Sequence, residues 1–232
     1  MKFTGMILLS VCMLAAVVKA DIKVVSVKGD VQVRRGVVEQ WHALAAGDIL
    51  KPEDSMKSGK KSTATLMIDS KKKITVPEMV IIDCSDLRNL TQEELLLMLA
   101  MESVRSVPAK ETDDRLTIPK TTSVHGENRD IVGATNAVHS GIGVLQLNGT
   151  KVLYDQGFYA TCVLKTKEVF RMNPRLRSMI EYRLLVANAM EKMKLDGEAL
   201  SEYYTLKSER LTPEQQSMVE QKISQLKKKR QG

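Results

Sequence analysis

Aromatic residues are scarce in this chain, with one Trp, three Phe and five Tyr among 232 residues. Surfaces that hold single-stranded nucleic acid stack its bases on aromatic rings, so this composition argues against such a partner. Histidine is rarer still. His42, His125 and His139 show no ligand spacing with one another or with cysteine, which leaves no recognisable zinc pattern. Long apolar runs are missing outside the N-terminus: Leu95 to Met101 holds seven residues before Glu102 interrupts it, far short of a membrane span. Reactive motifs are missing as well. No Ser sits in a G-x-S-x-G turn, there is no phosphate loop and no H-E-x-x-H, and Gly141-Ile142-Gly143 is too short for a dinucleotide fingerprint. No stretch is dense enough in oxygen ligands for a calcium loop. The expectation is therefore a non-enzyme, with no catalytic residues, no cofactor and no metal.

The first twenty residues have the layout of a secretory signal. Lys2 supplies the positive start, Met6 to Val18 is almost wholly apolar, and Val18-Lys19-Ala20 offers a peptidase site before Asp21. The alternatives are an uncleaved N-terminal anchor and a lipoprotein acylated at Cys12. Val11 is too bulky for the position before a lipidated cysteine, which disfavours the second. The formal net charge of +7 falls to +5 when Lys2 and Lys19 leave with the signal. Two basic clusters remain, Lys71-Lys72-Lys73 and Lys227-Lys228-Lys229-Arg230, and both read as solvated surface charge. Two cysteines remain too. Export permits a disulfide, but Cys84 ends one half of the chain and Cys162 sits in a helix of the other, so two unpaired buried thiols are expected, a bridge being the alternative.

Asp21 to Asp83 alternates with a period of two. Ala64, Leu66 and Ile68 interleave with Thr63, Thr65 and Met67, and Ile74 and Val76 with Lys73 and Thr75; one set faces a core and the other water. Asp69-Ser70-Lys71 suits a tight hairpin, and Pro77 ends the second strand. Ile22 to Val27 and Val31 to Arg34 form earlier strands around Lys28-Gly29-Asp30, and Trp41 in Gln40–Leu44 reads as a core anchor. Short strands with Gly and Asp turns predict a sandwich or small barrel.

These residues carry a likeness. Val27-Lys28-Gly29-Asp30-Val31, Trp41 through Leu44, Gly47-Asp48-Ile49-Leu50, Met56-Lys57-Ser58-Gly59, Ser62 to Leu66 and Asp69-Ser70 follow one another in an order that resembles the FecR domain family, whose members show V-x-G-x-V, W-x-x-L-x-x-G-D-x-L, a second G-D, I-x-T-G, S-x-A-x-L and D-G-S. The likeness spans residues 22 to 90. Glu53-Asp54 replaces the second Gly-Asp, and Ser70 replaces the glycine of the last motif. The resemblance implies a β domain outside the cytoplasm. The family's regulators add a sigma-factor-controlling segment and a transmembrane helix; this chain has neither, so the likeness implies a fold and a location rather than anti-sigma activity.

After Asp83 the period lengthens. Thr91-Gln92-Glu93-Glu94 is a capping box that opens a helix ending before Pro108. Its run of Leu95 to Leu99 with Met101 is apolar almost all round, which predicts burial on both sides against the β domain, with a partner contact as the alternative. The expected β domain with this closing helix spans residues 21 to 107. Residues 108 to 143, with Pro119, Gly126 and Gly133 among many polar residues, read as a linker. Helices follow from residue 144 to 232: Val144–Tyr154, Phe158–Arg171, Leu176–Met193, Glu198–Ser208 and one opened by Thr212-Pro213-Glu214-Gln215. Gly157-x-Tyr159-x-x-Cys162 with Asn173-Pro174, and Asp196-Gly197-x-Ala199-x-x-x-Tyr203, resemble degenerate tetratricopeptide repeats; a generic helical bundle is the alternative. The fold class expected is α+β multidomain: an all-β FecR-like sandwich or barrel, then tetratricopeptide-like helical hairpins.

The function these features predict is an exported bacterial interaction or scaffold protein in the periplasm or secreted, whose helical face binds an envelope protein, a peptide or a glycan-bound partner, with no nucleic acid and no integral membrane segment after signal cleavage. One alternative is an accessory periplasmic sensor in FecR-type signalling. The other is a cell-wall-acting enzyme using Glu93-Glu94 or Asp113-Asp114 as paired carboxylates.

Overall fold

The computed structural model describes residues 22–105 and 129–231. The expected signal, its cleavage site, Pro108, Asp113-Asp114 and His125 lie outside these residues. The described chain is α+β: two four-stranded antiparallel sheets, then six helices. Among the described residues no helix is long and apolar enough to cross a membrane.

The strands are β1 (Ile22–Lys28), β2 (Val31–Arg34), β3 (Trp41–Ala43), β4 (Ile49–Leu50), β5 (Ser55–Ser58), β6 (Thr63–Ile68), β7 (Lys72–Val76) and β8 (Val80–Asp83). One sheet has the order β4-β1-β6-β7 and the other β3-β2-β5-β8. Period-two alternation is carried out as expected: Ile22 and Val24, Ala64, Leu66 and Ile68, and Ile74 and Val76 are buried, and the inward residues of both sheets join one core. The β6–β7 turn is closed by the Lys71 N–H donating to the Ile68 carbonyl at 2.9 Å. Its central residues, Asp69 (φ 50°) and Ser70 (φ 55°), are both left-handed, as a type I′ turn requires.

Trp41 is not a core anchor. It stands opposite Arg34 in the β2–β3 ladder. Val31 and Val33 take the inward positions of β2, so Arg34 and its partner share the outer face. The Trp41 ring is half-buried there, with the Arg34 guanidinium 5.5 Å and the Lys57 ammonium 4.7 Å from its centroid. An aromatic edge residue can be held by cations as well as by a core.

The helices are α1 (Gln92–Arg105), α2 (Arg129–Asp155), α3 (Tyr159–Met172), α4 (Ile180–Lys192), α5 (Asp196–Lys207) and α6 (Pro213–Gln231). Both capping boxes form: Glu94 N–H donates to Thr91 Oγ1 while its carboxylate accepts from Thr91 N–H, and Thr212 and Gln215 do the same. Two boundaries differ from expectation. Residues 129–143 of the expected linker are the first half of α2, which starts well before Val144. Two glycines of α2 allow close approach. A Cβ on Gly149 would meet the Ile81 carbonyl oxygen at 2.1 Å, and one on Gly143 would meet Leu176 and Asn173. The expected helix from Leu176 is a 3-10 turn over Pro174–Ser178 before α4 begins at Ile180.

Helix α1 does not close the β domain. It packs on α3, and only Leu95 and Glu102 are buried. The β core is closed instead by the α2–α3 hairpin, through Val152, Leu153, Phe158 and Cys162. The helices then pack in succession, α3 on α4, α4 on α5 and α5 on α6.

Candidate functional site

Two polar constellations arise, one where helices meet and one at the junction of sheet and helix. The first is a cleft of about 840 Å³ between α1, α3, α4, α5 and the Pro174–Ser178 turn. Leu99, Phe170, Val186 and Met190 give it apolar walls, and charged and hydroxyl side chains line the rest. Along α5 the spacing is helical: Glu198, Glu202 and Thr205 recur every three or four residues and, with Glu209 just past the helix end, line the cleft, as one face of a helix must. Lys167 pairs with Glu202, Arg171 with the buried Glu102, and Arg183 with Glu209 at 2.6 Å. Arg177 and Glu198 line the cleft without an ion pair among the described residues. Hydrophobic walls with one free charge of each sign suit an extended peptide, whose side chains alternate between apolar seats and charged partners.

The second constellation sits where the β8 end meets α3. Asp83 accepts from Ser55 Oγ at 2.5 Å and from Lys165 Nζ at 2.6 Å, Lys165 also reaches Glu168 at 2.9 Å, and Arg34 donates to Ser55 at 3.0 Å. Burial works to raise the Asp83 carboxyl, but Lys165, Ser55 and Arg34 together hold it below its ordinary value. Burial likewise opposes charge on Lys165, and Asp83, Asp86 and Glu168 overrule it and raise that amine. Asp86 goes the other way. Its burial, with Asp83 and Glu168 adding like charge, outweighs Lys165 and Arg88 and pushes its carboxyl up to about 7. This cluster joins the β unit to the helices. So does Lys72, whose ammonium lies 3.8 Å from the Phe158 centroid and donates to the Gln156 carbonyl. One of the three lysines expected in water is therefore half-buried at the junction. A further relay runs from Tyr182 through Asn148 to the Met79 carbonyl, at 2.6 and 2.7 Å.

The candidate residues singled out from the sequence do not converge. Glu93 and Glu94 lie in the first turn of α1, where Glu94 serves the capping box. Exposed His42 lies on β3, and His139 falls within α2. Cys84 and Cys162 are buried, free thiols in the same core, and burial pushes both to about 12, which makes them poor nucleophiles. Gly141-Ile142-Gly143 lies inside α2. Among the described residues no group of three or more His, Cys, Asp and Glu is placed to hold a metal. Asp54, from the divergent Glu53-Asp54 pair, is a structural acceptor: burial raises its carboxyl, but Lys51 N–H, Arg35 and Gly36 N–H bind it and leave it lowered. The cleft residues escaped the sequence reading, although the i, i+4, i+7 polar stripe of Glu198, Glu202 and Thr205 on α5 was there to be read.

Comparison with known proteins adds no relative: no family model matches the chain, and neither a curated protein nor a solved structure matches it.

Proposed function

We propose that this chain is an exported bacterial cell-envelope protein that acts as a non-catalytic interaction module, holding an extended peptide of an envelope partner in the cleft beneath α1. The observation that carries the reading is the cleft itself, with apolar walls and the free charges of Arg177 and Glu198. The motifs resembling FecR domains and the leader pattern support the compartment. The successive packing of α2 through α6 supports the likeness to tetratricopeptide repeats, which bind extended segments on helical faces. Because α2 and α3 complete the β core, the chain from Asp21 onward is the unit to test. Captured on beads with envelope extract, it should enrich a partner that an R177E/E198K variant of equal thermal stability retains at least fivefold less. Equal enrichment by both would remove the cleft from the account.

A further inference from the structure

Helix α1 leaves most of its apolar residues in water. It meets α3 through Leu95 and Glu102, while Leu96, Leu97, Met98, Met101 and Val104 are 40%, 64%, 39%, 48% and 72% exposed. Leu97, Met101 and Val104 follow the i, i+4, i+7 spacing of a straight stripe on a helix about 21 Å long. A continuous apolar stripe of this kind marks an interface.

We propose that this stripe is covered by the α1 helix of a second copy, packed antiparallel. The charges of α1 are self-complementary in that direction only. Glu93 and Glu94 occupy its first turn and Arg105 its last. With the two-fold axis near Leu99, Leu97 of one copy meets Met101 of the other and Glu93 lies opposite Arg105; a parallel pair would set like charges together. The competing occupant within the chain, the stretch 106–128 that follows α1, is poorly matched to the stripe, since Leu116 and Ile118 are its only Leu or Ile.

Sedimentation equilibrium of the chain from Asp21 onward, at about 100 μM, tests this. The proposal expects a dimer mass. L97E/M101E should sediment as a monomer with an unchanged circular dichroism spectrum and melting temperature, since both side chains are exposed. An E93K/E94K copy and an R105E copy, each weakened at least tenfold in self-association, should pair with one another when mixed. A monomeric wild type overturns the proposal, as does a dimer that L97E/M101E leaves intact. Hydrogen exchange adds a third reading: protection of α1 in a monomer, lost when residues 106–120 are deleted, would assign the stripe to the chain itself and equally overturn the second copy.

Discussion

At Asp86 the environment and the charge state oppose each other. Burial and the neighbouring Asp83 and Glu168 raise its carboxyl from 3.8 to about 7. Between those values the folded chain keeps a proton that the unfolded chain has released, so rising pH favours the unfolded state and this group's contribution to stability is lost across that window. D86N should remove that part of the pH dependence. The variant should gain on the wild type from about pH 4 to about pH 8, by about 1–2 kcal/mol, because solvent still reaches this half-buried carboxyl and partly screens it. Urea titrations across that range check it, and a constant difference between the two proteins would count against the assignment. Ser70 makes the second residue-scale case. It holds φ 55° in the β6–β7 turn, a conformation that costs an ordinary L-residue about 1 kcal/mol. S70G should stabilise the chain by about 0.5–1 kcal/mol, read as a shift in the urea midpoint.

At the scale of elements, the glycines of α2 decide how the two halves meet. Gly149 faces the Ile81 carbonyl of β8 so closely that any Cβ must displace backbone. G149A should therefore cost about 3 kcal/mol despite alanine's better helix propensity, and an unchanged urea midpoint would show that α2 and β8 do not touch this way. Other glycines explain why the first half of α2 was hidden from sequence. Gly133, Gly141 and Gly143 resemble loop punctuation when read locally, and only the neighbouring β8 and the Asn173–Leu176 segment turn Gly143 and Gly149 into contact surfaces. Strands β1, β2, β6 and β7, the β6–β7 turn and both capping boxes were legible, because period-two alternation and cap chemistry act within a few residues. Trp41 and α1 were misplaced for the opposite reason. Hydrophobicity says that a side chain seeks cover without saying which element, cation or second molecule supplies it.

At the scale of the molecule, the β unit and the helices share a core rather than a linker. Val152, Leu153, Phe158 and Cys162 lie in one cluster with the inward residues of both sheets, and Lys165 and Lys72 tie the polar seam around it. The cleft stands on the far side of α3, walled by α1, α4 and α5, so the β sandwich holds the helices that shape it without lining it. Photo-crosslinking tests this arrangement most directly. A photoreactive side chain at Ser201, which lines the cleft, should give a discrete adduct with the envelope partner, and one at Thr75, exposed on β7, should give none. Adducts from Thr75 with none from Ser201 would place the binding surface on the sheet and contradict the account.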